Sequence, residues 1–145
     1  MSFVTDLELS ERFAATDVVH LFFQLVDEGR AAETRHLFTP DATLTFGPGA
    51  PKPGTIAGSD IPAAMEARQA QAHVTTRHVL SNLAVSRIAK GEIQVRSLLT
   101  LFRSENESRD TYPASVADID DRLIQTAEGW RIRARTITPI FNRAG

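Results

Sequence analysis

The chain has 145 residues, 16 Lys plus Arg against 18 Asp plus Glu, a formal net charge of −2 and no cysteine. That length fits a single domain, 1–145, able to bury its own core, and the charge lacks the concentrated basic surface of a nucleic-acid binder. The missing cysteines exclude disulfides, Cys-ligated zinc, iron–sulfur clusters and thiol nucleophiles. No apolar run approaches the roughly 20 residues that cross a bilayer. The start, Met1 to Leu9, carries Asp6 and Glu8 and lacks the basic-then-apolar order of a secretory leader. A cytoplasmic protein without membrane association is therefore expected.

In chain order, the first element is a helix. Ser10, or Thr16 followed by Asp17, is placed to cap it, and Gly29 is placed to stop it. Val19, Phe22, Phe23 and Val26 recur at spacings of three and four, which makes one apolar face. A short second helix, about Ala31 to Phe38, ends before Pro40, and Ala42 to Phe46 reads as a strand. Gly47 to Gly58 is rich in Gly and Pro and reads as a loop. A third helix follows over Ala63 to Ala72, with Ser59 or Asp60 as its cap and Pro62 in its first turn.

From Thr75 the period changes to two. Thr75 to Ile88, Glu92 to Ser104, about Tyr112 to Thr126, and Trp130 to Phe141 read as four long strands joined by hairpins. Helices followed by long antiparallel strands give an α+β class, with three helices against one face of a curved sheet. The four strands leave a second face to cover, so a homo-oligomer is expected.

Three local sequences carry a resemblance. Leu25-Val26-Asp27-Glu28-Gly29-Arg30 is followed by Leu37-Phe38-Thr39-Pro40-Asp41-Ala42; Thr76-Arg77-His78-Val79-Leu80-Ser81-Asn82 opens the first long strand; and Glu128-Gly129-Trp130-Arg131-Ile132 forms the last hairpin. In this order they resemble the SnoaL-like branch of the nuclear-transport-factor-2-like superfamily. The resemblance implies a cone-shaped sheet around a pocket for a hydrophobic small molecule, no cofactor, and a dimer through the outer sheet face, or a trimer as in the dioxygenase-like branch. Its members include scytalone-dehydratase-like lyases, polyketide cyclases and the noncatalytic small subunits of ring-hydroxylating dioxygenases.

In the dehydratase-like relatives, a histidine points into the cavity and an aspartate near the end of helix one bonds it. His78 and Asp27 match these by position, and an imidazole backed by a carboxylate suits proton abstraction near neutral pH. The chain is then a cofactor-free lyase or isomerase acting on a cyclic carbonyl compound, or a noncatalytic binding subunit. The residues alone leave another reading open: His20, Gln24 and Asp27 as a solvated helix face, and His78 as a core histidine. A carboxylate at a helix C-terminus also opposes the helix dipole.

Phe23, Phe46, Met65, Leu80, Asn82, Arg103 and Asp120 are the substrate-binding candidates. Phe46 and Arg103 stand near positions where scytalone-dehydratase-like enzymes carry a tyrosine and a second histidine, and Tyr112 is the chain's one tyrosine. Asp118, Asp120 and Arg122 share one face of their strand, Asp121 and Leu123 the other, and the period alone does not say which is inside. Arg131, Arg133 and Arg135 alternate with Trp130, Ile132 and Ala134 and read as a polar face. No His and carboxylate spacing makes a metal site.

Overall fold

The computed structural model describes residues 7–143. The leader reading of Met1 to Leu9 falls mostly outside these residues. Helix α1, Leu9–Asp27, buries Ala15, Val19, Phe22, Phe23, Leu25 and Val26. Each large apolar side chain on that face contributes about 1.5–3 kcal/mol by leaving water.

The start of α1 differs from the capping signals. Glu8 occupies the cap position without a side-chain cap bond, and Thr16 lies inside the helix. The Thr16 hydroxyl donates back to the Arg12 carbonyl at 3.0 Å, an alternative to capping open to any interior threonine. The C-terminus follows the glycine signal. Gly29 has φ +80°, its N–H donates to Val26 O at 3.1 Å, and Arg30 N–H donates to Leu25 O at 2.8 Å. These two bonds make a Schellman stop.

The second helix, Ala31–Leu37, is a 3-10 helix that buries Ala31, Thr34 and Leu37. That spacing of three matches its three residues per turn. Helix α2, Asp60–Ala70, starts at Asp60, and Ser59 makes no side-chain cap bond. It buries only Ile61.

Six strands follow the order β2-β1-β6-β5-β4-β3. They are β1 (Phe38–Phe46), β2 (Gly54–Ala57), β3 (Val74–Ala89), β4 (Glu92–Glu105), β5 (Pro113–Thr126) and β6 (Gly129–Asn142). All pairs are antiparallel except β1 with β6, which is parallel, so the sheet is mixed. It curls without closing, with β2 and β3 as its edges. Strand β2 lies inside the segment read as a loop. It is four residues long and has no buried residue, so it carries no apolar alternation that periodicity can detect. Pro40 is accommodated where β1 leaves register with β6, between Phe38 and Thr43.

The inner face of β4 and β5 presents Ile93, Val95, Leu99, Ala117, Ile119 and Leu123, all buried. Asp121 shares that face, while Asp118, Asp120 and Arg122 point outward. A bulge corrects the reading of the last strand. Arg122 pairs with Ala134 but Leu123 pairs with Ile132, so Arg133 is an extra residue and the alternation inverts beyond it. Arg135 consequently points inward beside Asp121, and both are 0% exposed. Its Nε and Nη2 donate to the two Asp121 oxygens at 2.6 and 3.1 Å. The guanidinium carbon lies 4.2 Å from the Phe22 ring centre and 4.8 Å from that of Phe23. Arg135 is thus part of the core and not of a polar face.

Candidate functional site

The helix stop at Gly29 sets the end of α1 against the start of β3, and there Asp27 and His78 meet. Asp27 is the last helical residue, and its carboxylate turns toward the sheet rather than to water. Three donors receive it: His78 Nδ1–H at 2.6 Å, the His78 backbone N–H at 2.9 Å and the Thr76 hydroxyl at 2.8 Å. Both dyad side chains are 12% exposed. Burial pushes the Asp27 carboxyl up. The His78 side-chain and backbone hydrogen bonds, the His78 charge and the Thr76 hydrogen bond outweigh it, so the net shift is downward. These bonds also offset the unfavourable helix dipole at this position.

Because an ionised carboxylate only accepts, the bond assigns the proton of the neutral ring to Nδ1 and leaves Nε2 as the basic nitrogen. Phe23 packs on the imidazole, ring centres 4.8 Å apart and tilted by 32°. The ring is therefore held by one hydrogen bond and one stacking contact. Thr76 in turn accepts from Arg68 Nη2 of α2 at 3.0 Å. Neither Thr76 nor Arg68 stands out in the sequence. The only available signal is that Thr76 shares the His78 face of β3, two residues away.

A half-open cleft of about 180 Å³ adjoins the dyad, lined by His20, Phe23, Gln24, Asp27, His78 and Leu80. That is below the ~300–1,000 Å³ of drug-sized ligand sites. Of the substrate-binding candidates, Phe23 and Leu80 lie here. Phe46 and Met65 are partly buried against the core instead. Arg103 lies on the inner face as the cross-strand partner of Thr76 and is paired with Glu105 at 2.9 Å. Asn82 and Asp120 do not reach the cleft: they line a groove of about 410 Å³ on the outer side of the sheet. Asn82 sits at the β3 bulge with φ +55°, and Asp120 accepts from Gln94 Nε2 at 2.9 Å. Tyr112 is exposed, with the Arg143 guanidinium 3.8 Å over its ring. Among the described residues, no group of three or more His, Asp or Glu side chains is placed to hold a metal ion. None of the described helices is long and apolar enough to cross a membrane.

With this geometry in place, comparison with known proteins gives the class. The SnoaL-like domain model matches residues 7–136, and the chain belongs to that family. No sequence among the curated proteins matches it. Among solved structures, a candidate scytalone dehydratase from Novosphingobium aromaticivorans superposes with TM-score 0.79 at 18% identity, covering 93% of this chain and 87% of that one. The β subunit of a candidate aromatic-ring-hydroxylating dioxygenase from the same organism gives TM-score 0.77 at 16% identity, covering 95% of each chain. ActVI-ORFA from Streptomyces coelicolor gives TM-score 0.75 at 19% identity, covering 90% and 98%. At such identities the likeness is one of fold, the nuclear-transport-factor-2-like cone.

Proposed function

We propose that this chain is a cofactor-free lyase or isomerase that removes a proton beside the carbonyl of a small cyclic compound. The observation that carries the reading is the 2.6 Å bond from His78 Nδ1–H to Asp27 at the edge of a cleft. In this mechanism Nε2 takes the proton, and the ring becomes an imidazolium beside a carboxylate already hydrogen-bonded to it. A positioned general base of this kind contributes ~10²–10⁴-fold in rate. Elimination of a β-hydroxyl as water, or reprotonation at another carbon, then completes a dehydration or an isomerisation.

Proton exchange tests this without the product being identified. Cyclic ketones and hydroxyketones are incubated with the protein in D2O, and loss of the α-proton signal is followed by NMR. Exchange above the buffer rate with at least one compound, abolished by His78→Ala and cut about 100-fold by Asp27→Asn, is the expected result. Exchange that survives His78→Ala, or none across the set, rejects the reading.

The alternative is a noncatalytic binding or structural subunit. It is favoured by the small volume of the cleft, about 180 Å³, and by the lack of a tyrosine there. Self-association belongs to either reading. On the outer face, Val79, Thr100, Val116 and Phe141 form one row across four neighbouring strands. Val79 is 50% exposed and Phe141 67%. A second copy covering this row in a dimer removes that apolar surface from water. A cytoplasmic location is part of the same proposal, and cell fractionation tests it.

A further inference from the structure

Two arginines from different elements flank Thr76, the threonine beside the dyad. Thr76 lies on the His78 face of β3 and is the cross-strand partner of Arg103 on β4. From α2, Arg68 donates to the same threonine at 3.0 Å, and that threonine donates to Asp27 at 2.8 Å. Arg68 thus reaches the residue that is one hydrogen bond from the Asp27 carboxylate, and Arg103, across the strand on the same face, stands near enough for its charge to act on Arg68.

Their charges are unequally balanced. Arg103 pairs with Glu105 at 2.9 Å. Arg68 forms no salt bridge with a carboxylate among the described residues and reaches Asp27 only through the Thr76 hydroxyl. Burial and the neighbouring Arg103 both disfavour the Arg68 cation, and Asp27 opposes them. A guanidinium does not shed its proton to relieve this cost. An anion seated between the two groups relieves it, and a carboxylate matches the planar fork of each.

We propose that Arg68 and Arg103 form a receptor for a carboxylate carried by the molecule that occupies the cleft. This deepens the proposed function and rests on its reading of the cleft as the substrate site. The substrate class becomes a small ring acid that also bears a carbonyl. The carboxylate is held on the Thr76 side of the base, and the ring lies toward Phe23 and Leu80. The arrangement orients the substrate by charge, which a cleft of this size cannot do by apolar contact alone.

The probes are benzoate and benzamide, which share shape and differ in charge. Each is titrated into the protein, and binding is read from the His78 ring resonances by NMR. The wild type is expected to bind benzoate at least tenfold more tightly than benzamide. Arg68→Gln and Arg103→Gln each shrink that preference, their combination removes it, and Arg68→Lys keeps most of it. Arg87→Gln, which breaks an ion pair with Glu11 on α1, leaves it unchanged. Equal affinity for the two probes, a preference intact in the double variant, or no response of His78 to either probe overturns the proposal. If Arg68→Gln lowers the melting temperature so far that titration fails, Arg103→Gln and Arg68→Lys decide the matter. The readout is binding alone, so it stands or falls separately from the proton-exchange test of the dyad.

Discussion

Replacing Arg135 by methionine keeps a long flexible side chain against Phe22 and Phe23 but strips Asp121 of its buried cation. The Asp121 carboxylate is fully buried and receives two bonds from Arg135, at 2.6 and 3.1 Å. Burial pushes its pKa up even with the arginine present. Removing one member of such a pair costs about 3–5 kcal/mol, because the other is left as an uncompensated buried charge. At roughly 3–4 °C per kcal/mol for a chain of this size, Arg135→Met is expected to lower the melting temperature by about 9–20 °C near pH 7.

The sign of the pH dependence follows from the same carboxylate. A carboxyl whose folded pKa is raised holds its proton more tightly when folded, so its effect on stability worsens as pH rises above the unfolded value. The deficit of Arg135→Met relative to wild type should therefore shrink as the pH is lowered and Asp121 takes up a proton. Asp121→Leu combined with Arg135→Met should be more stable than Arg135→Met alone, since no buried charge remains. Urea unfolding of the four proteins at several pH values supplies the cycle. A loss below about 1 kcal/mol for Arg135→Met, or a double variant as unstable as the sum of the singles, refutes the reasoning.

Two further outcomes are expected. Asp27 has a folded pKa below its ordinary value of 3.8, so its contribution is complete above that value and is lost as pH falls through the lowered one. Asp27→Asn should cost about 1–3 kcal/mol at pH 7 in urea unfolding, with the gap closing only below about pH 4; a gap constant down to pH 2 contradicts this. Light scattering at micromolar concentration should give a dimer for the wild type and a monomer for Val79→Glu or Phe141→Glu, because a charge in that row is desolvated on association. A monomeric wild type contradicts the outer-face contact.

The parts of the fold legible in the sequence are those set by local repetition. Val19, Phe22, Phe23 and Val26 mark the buried face of α1, Gly29 marks its end, and the period of two marks β3 to β6 to within a residue or two. Interruptions of repetition are not legible. The extra residue at Arg133 inverts β6 and carries Arg135 into the core, and a bulge has no residue-type signature of its own there. Strand β2 is defined only by its pairing with β1.

The site divides in the same way. Asp27 and His78 are 51 residues apart, so no spacing rule joins them, and only the family resemblance links the two in the sequence. Phe23 and Leu80 lie at the cleft because each shares a face with one dyad member. Asp120 would join them only if its face of β5 were the inner one; its neighbour Asp121 is the residue that points inward. Thr76 is marked only by sharing the His78 face of β3, and Arg68 by nothing, because its role depends on how α2 meets β3.

The proposed chemistry depends most directly on Asp27 holding the His78 imidazole with its proton on Nδ1, which leaves Nε2 as the base. Nitrogen NMR of the neutral ring in 15N-histidine-labelled protein measures this. The predicted result is a protonated Nδ1 and an unprotonated Nε2, with Asp27→Asn shifting the tautomer balance toward Nε2–H. An Nε2–H tautomer in the wild type, or the same spectrum in Asp27→Asn, contradicts the assignment of His78 as the base.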